Sequence, residues 1–185
     1  TLNNMLAEIN WMQNIAKAYG DEARFIFYYA GHGMPDESNG TSYLLPVDGK
    51  SNIPATGYSM SRLYSELNGL NAACVTVLMD ACFSGSKRGE GMLASARGVA
   101  LKAKAEAPKG NMLVMTAAQG SETAYPYKEK KHGLFTYFLL KKLQESKGKV
   151  TYGTLFDYVK TNVAQKSVVR SEEHTSELQS LSRIS

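Results

Sequence analysis

The sequence has few cysteines and no long hydrophobic run, and each absence excludes a class of protein. Two cysteines among 185 residues cannot form a multi-disulfide framework, and neither has the spacing of a metal-ligand pair. No apolar run reaches the roughly 18 residues that a membrane-spanning helix needs. The remaining composition, with 43% hydrophobic and 21% charged residues, is typical of one globular domain with a sizeable core.

The sequence also lacks a strong excess of charge of either sign. Its formal net charge is only +4, and the lysines are spread along the chain without interleaved aromatic residues. Such a pattern is typical of a solvated surface. We therefore expect no nucleic-acid partner and no membrane partner.

Neither terminus looks like a natural end. The chain begins at Thr1 rather than Met and enters a helical pattern at once. Near the other end, RSEEHTSELQS (residues 170–180) matches the in-frame translation of a common sequencing adaptor, with a natural polar tail as the alternative. We therefore expect one native domain over residues 1–169 and a non-native, unstructured tail over residues 170–185.

Helical and extended patterns alternate along the native part. Apolar residues spaced by three and four positions predict helices over 2–19, 134–143 and 152–165. Another helix is predicted to end at residue 68, with residue 59 or 61 as its N-terminal cap, and an alanine-rich candidate helix covers 93–107. Strands are predicted over 25–30 (apolar on both faces), 74–80 and 112–117, and a hairpin arm over 42–47. This order predicts an α/β fold, a parallel sheet with helices on both faces.

Two of the predicted strands end in residues that carry chemistry. His32 follows the first strand, in RFIFYYAGHG (24–33), and Cys82 follows the second, in CVTVLMDACFSG (74–85). Parallel strands present their carboxyl ends at one edge of a sheet, so neighbouring strands would bring His32 and Cys82 together. An imidazole there can accept the thiol proton and later return it to a leaving amine.

Glycines lie close to His32 and Cys82 in the sequence, and the chain also contains a second cysteine, Cys74, and another histidine, His132, that must be weighed against them. Gly31, Gly33 and Gly85 lack a Cβ, which lets a substrate approach and leaves N–H groups for an oxyanion. Cys74, at the start of its strand, is expected to be structural. His132, which precedes a helix, is the alternative base or a helix cap.

The motifs at these strand ends resemble those of the caspase-like cysteine peptidases. YYAGHG (28–33) and DACFSG (80–85), fifty residues apart from His to Cys, are similar to the metacaspase and bacterial caspase-like branch. NGTSYLLPVD (39–48), TAAQGSETAY (116–125) and HGLFTYFLL (132–140) support the resemblance. It implies a three-layer α/β/α caspase-hemoglobinase-like fold with a mainly parallel sheet, here without the N-terminal strand or strands and the C-terminal strand.

The resemblance also implies an activity. We expect a cysteine endopeptidase in which His32 and Cys82 form a dyad and the backbone N–H groups of Gly33 and Cys82 hold the oxyanion. The motifs require no cofactor and leave a calcium requirement open. A catalytically idle signalling or scaffold module is the alternative, and another thiol hydrolase or transferase on a similar sheet is a third reading.

Asp80 stands where caspases have glutamine, two residues before the cysteine. Strand alternation places Asp80 and Cys82 on the same side of the strand, so Asp80 is expected to line the substrate pocket. A carboxylate there pairs with a cationic side chain, which predicts protein or peptide substrates with Arg or Lys at P1. Asp80 as a local cap of N–H groups is the alternative. By family analogy Ser121 and Glu122 line the same pocket, and Lys87 or Arg88 is a candidate self-cleavage site.

Overall fold

The structure, a computed structural model, describes residues 1–36, 41–83, 110–117, 126–127 and 130–181. These residues form two compact units, residues 1–124 and residues 125–185. No helix within the described ranges has the length and apolar character to cross a bilayer.

The first unit contains a five-stranded mixed sheet in the order β3-β2-β1-β4-β5. Its strands are β1 (Arg24–Asp36), β2 (Thr41–Leu45), β3 (Tyr58–Ser59), β4 (Cys74–Cys82) and β5 (Met112–Thr116). β1, β4 and β5 are parallel, whereas β2 is antiparallel to both of its neighbours. The predicted α/β class with a mainly parallel sheet is confirmed, and the predicted hairpin arm is β2.

Helix α1 (Leu2–Tyr19) begins and ends at residues suited to those positions. The Thr1 side chain accepts a hydrogen bond from the Asn4 N–H at 3.2 Å, and Asp48 Oδ1 accepts one from the Leu2 N–H at 2.9 Å. Gly20 follows with φ 55°, a left-handed conformation that glycine adopts without strain. The predicted helix over residues 2–19 is confirmed.

Helix α2 (Met60–Asn68) follows β3 directly and is capped by Ser59, one of the two predicted caps. The Tyr58 hydroxyl donates a hydrogen bond to Glu66, whose other oxygen pairs with Arg62 Nε at 2.9 Å. Burial and this bond raise the pKa of Tyr58, so its hydroxyl stays a donor. The cluster fixes the start of α2 against the sheet.

The two helices cover one face of the sheet, which we call the helix-packed face. Its strand residues are Phe25, Phe27 and Tyr29 of β1 and Val75, Val77, Met79 and Ala81 of β4. They pack with Ile9, Met12 and Ala16 of α1 and with Leu63, Tyr64 and Leu67 of α2. Alternation assigns Ile26, Tyr28, Ala30 and His32 of β1 and Thr76, Leu78, Asp80 and Cys82 of β4 to the opposite face, the site face.

β1 differs from the prediction in length and in burial. It continues to Asp36, beyond the predicted end at residue 30, because residues 32–36 pair with β2. It is also not buried on both faces: Ile26 is 69% exposed and Tyr28 47%. The exposed side chains belong to the face of β1 opposite to the one on which α1 and α2 pack.

The second unit contains a two-stranded sheet and two helices. β6 (Pro126–Tyr127) pairs with β7 (His132–Gly133), and α3 (Leu134–Glu145) and α4 (Tyr152–Leu181) follow. The Thr151 hydroxyl accepts a hydrogen bond from the Thr154 N–H at 3.2 Å, as expected for the cap of α4. α4 extends well beyond the predicted end at residue 165, so residues 170–181 are helical where an unstructured tail was expected. The origin of that tail stays a prediction.

Candidate active site

β1 and β4 are in parallel register over nine residue pairs, from Arg24 opposite Cys74 to His32 opposite Cys82. The register therefore brings the predicted imidazole and the predicted thiol residue to the same level of adjacent strands. Neighbouring strands are about 4.8 Å apart, so the two backbones lie within reach of one substrate group. His32 is exposed, so its side chain is accessible to a substrate.

Tyr29, whose ring lies on the helix-packed face, contacts the backbone of β1 at His32. The Tyr29 hydroxyl lies 2.9 Å from the His32 carbonyl oxygen and 3.0 Å from the Leu45 carbonyl oxygen, and these two acceptors share its one proton. His32 and Leu45 are themselves register partners between β1 and β2. One side chain thus links both strands at the level of His32.

Gly31 accommodates the Tyr29 ring. A Cβ at position 31 would lie 2.7 Å from the Tyr29 hydroxyl oxygen and 2.8 Å from Cζ, closer than real Cβ contacts. Alternation places residues 29 and 31 on the same face, opposite to His32. The absence of a side chain at Gly31 is therefore explained by Tyr29, a reason that the sequence analysis did not consider.

Asp80 lies at the level of Ala30, one alternation step before Cys82. It is 1% exposed and is one of the few buried charged or polar residues in the described chain. Asp80 also has an interaction within the protein. A buried carboxylate is weakly screened by solvent, so it acts strongly on any cation that reaches it.

The remaining predicted residues fall into separate places. Gly33 lies in β1 opposite Leu44. Cys74, at the start of β4, has its Sγ 3.8 Å from Thr76 Oγ1. The alternative base, His132, belongs to β7 of the second unit, where it pairs with Tyr127.

Several predicted residues lie outside the described ranges: Gly85, Lys87, Arg88, Ser121 and Glu122. Within those ranges, no group of three His, Cys, Asp or Glu side chains could hold a metal ion. A cavity of about 310 Å³ in the second unit is lined by Tyr127, Tyr137, Lys141 and neighbouring residues, and it contains none of the predicted site residues.

Tyr29 is the functional candidate that sequence reasoning missed. The signal was present, since a large aromatic residue two positions before a glycine shares a face with it along a strand. The hydroxyl's partners could not be inferred, because β1 was predicted to end before residue 32 and its pairing with β2 was not recognised.

Comparison with known proteins adds the family context. A family model for the caspase domain matches residues 1–183. Among solved structures, the chain is similar to a Geobacter sulfurreducens protein determined in a structural genomics programme, with a TM-score of 0.56 and 22% identity over 83% of this chain and 67% of that chain. That likeness shows a shared fold. No curated protein matches the chain.

Proposed function

Because the chain belongs to the caspase domain family, a family of cysteine peptidases with a three-layer α/β/α fold, we propose that it hydrolyses peptide bonds with His32 and Cys82 as its catalytic dyad. We propose further that it cleaves after arginine or lysine. The observation that carries the proposal is the register of β1 and β4, in which His32 is the direct partner of Cys82.

The proposed reaction follows from the chemistry of the two groups. His32 accepts the thiol proton, and the Cys82 thiolate attacks the carbonyl carbon of the scissile bond. As the tetrahedral intermediate collapses, the C–N bond breaks and the imidazolium gives its proton to the leaving amine. Water, deprotonated by His32, then hydrolyses the thioester and restores the thiol. Every step uses protein groups and water alone.

Backbone N–H groups at the same level would stabilise the negative oxygen. Gly33 directly follows His32, and the Cys82 N–H lies at the end of β4. Donors aimed at a developing oxyanion each contribute on the order of 10²–10³ in rate. We assign this role to Gly33 and Cys82.

Asp80 supports the preference for a basic P1 residue. Its carboxylate lies one alternation step before Cys82 and is almost completely buried. The weakly screened charge of such a carboxylate attracts the guanidinium or ammonium group of a P1 residue, whereas an acidic P1 residue is repelled. Ser121 and Glu122 complete the same pocket in this proposal. Lys87 and Arg88, soon after the nucleophile in the sequence, then become candidate self-cleavage sites.

Turnover of fluorogenic peptides with Arg, Lys or Asp at P1 tests the proposal. We expect cleavage of the Arg and Lys peptides only. Cys82→Ala should lower kcat by at least about a thousandfold, as loss of a nucleophile does in other peptidases. Cys74→Ser is the matched control: it replaces the thiol at the other end of β4 and keeps a polar group near Thr76.

Other results would contradict the proposed role of Asp80, the proposed dyad or the proposed peptidase activity. Preference for the Asp peptide would overturn the role of Asp80 and leave the dyad. Turnover that survives in Cys82→Ala, or is lost in Cys74→Ser alone, would overturn the dyad. Absence of any turnover would favour a scaffold module. The same incubations test self-cleavage, which should produce fragments near residues 87–88 in the wild-type protein and none in Cys82→Ala.

A further inference from the structure

We infer that Tyr29 is a positioning residue for catalysis: its hydroxyl fixes the backbone of His32 and thereby the imidazole opposite Cys82. The inference rests on the proposed dyad and adds a residue from the other face of the sheet. Tyr29 does not contact the substrate in this account. It acts through the His32 carbonyl, at 2.9 Å, and the Leu45 carbonyl, at 3.0 Å.

The position of His32 in β1 explains why the contact of the Tyr29 hydroxyl with its backbone matters. His32 lies where β1 changes partners, since residues 24–32 pair with β4 and residues 32–36 pair with β2. His32 itself pairs on both sides, but Gly31 before it and Gly33 after it each pair on one side only among the described strands. The ladder therefore restrains the backbone on either side of this junction less than it does inside a two-sided pairing. A hydroxyl that contacts the carbonyls of both register partners, His32 and Leu45, restrains the junction directly.

The packing of Tyr29 supports a dedicated role. Its ring lies against Gly31, the residue before His32, so closely that a Cβ there would come within 2.8 Å of the ring. The ring belongs to the helix-packed face, where the hydrophobic core holds it. The rigid ring therefore fixes the position of the hydroxyl, which contacts the two carbonyl oxygens from the helix-packed face, opposite to the site face.

A positioning role predicts a defect that differs from a loss of stability. Displacement of a catalytic group by about 1 Å costs up to roughly a hundredfold in rate. Tyr29→Phe keeps the ring against Gly31 and removes only the hydroxyl. We expect kcat for an Arg peptide to fall roughly ten- to hundredfold, with KM little changed.

A second readout needs no substrate. In a Cys74→Ser background Cys82 is the remaining thiol, and its alkylation by iodoacetamide against pH reports whether an imidazole still assists it. Tyr29→Phe should move this profile toward that of His32→Gln. Tyr19→Phe, which removes an exposed hydroxyl at the end of α1, should change neither readout.

Gly31→Ala provides an independent variant, because the new Cβ must displace the Tyr29 ring. It should reproduce the kinetic and alkylation defects, and thermal unfolding of each variant identifies the assay temperature at which all are folded. Unchanged kcat and an unchanged alkylation profile in folded Tyr29→Phe would overturn the inference. If His32→Gln also leaves both readouts unchanged, the proposed dyad itself fails.

Discussion

β1 and β4 are adjacent, parallel and in register over nine residue pairs, yet their environments differ. β4 lies between β1 and β5 and is buried on both faces as far as Ala81. β1 is buried on the helix-packed face, whereas Ile26 and Tyr28 on the site face are exposed. The strand that carries the proposed nucleophile is thus rigidly enclosed, and the strand that carries the proposed base is more open.

The difference in burial indicates that the residues of β1 and β4 are held in position by different interactions. The residues of β4 from Val75 to Ala81 are placed by packing on both faces of the strand. His32 of β1 is placed by its pairing with Cys82 and Leu45, at the point where β1 changes partners, and by the Tyr29 hydroxyl. We therefore expect substitutions along β4 to affect stability and substitutions along β1 to affect geometry and rate.

The largest expected effect concerns the base itself. His32→Gln removes the proton acceptor and should lower kcat/KM for an Arg peptide by about 10²–10⁴, the usual contribution of general acid–base catalysis. His132→Gln, in the second unit, is the matched variant and should retain activity. Loss of activity in His132→Gln with retention in His32→Gln would reverse the assignment of the base.

Removal of the buried charge should have the next largest effect. Asp80→Asn keeps the shape of the side chain and removes its charge, so cleavage after Arg should fall roughly a hundredfold relative to cleavage after an uncharged P1 residue. Asp21→Asn, at an exposed aspartate, should leave this ratio unchanged. An unchanged ratio in Asp80→Asn would favour a purely local role for Asp80 in capping backbone N–H groups.

The smallest effect tests the contrast in burial directly. Val77→Ala on β4, a fully buried position, should lower the free energy of unfolding by about 2 kcal/mol through lost burial and an unfilled cavity. Ile26→Ala on β1, at a 69% exposed position, should change it by less than about 0.5 kcal/mol. Chemical denaturation measures both, and equal losses would contradict the proposed difference between the strands.

Much of this arrangement could be predicted from the sequence. Apolar runs that end in His32 and Cys82 predicted two parallel strands with their reactive residues at one edge, and the nine-pair register agrees with that expectation. The exposure of Ile26 and Tyr28 could not be predicted, because a run such as FIFYYA is apolar on both faces and does not reveal which face other elements cover. The extension of β1 through Gly33 and Pro35 was missed for a related reason, since pairing with β2 outweighs the loop preference of these residues.

Whether His32 and Cys82 act as one unit can be measured through the reactivity of the thiol. In Cys74→Ser protein, the rate of Cys82 alkylation is measured from pH 5 to pH 10, with and without His32→Gln. We expect rapid alkylation well below pH 8 when His32 is present, and the behaviour of an ordinary cysteine, with a pKa of about 8.5, when it is absent. Coincident profiles for the two proteins would show that His32 does not assist Cys82.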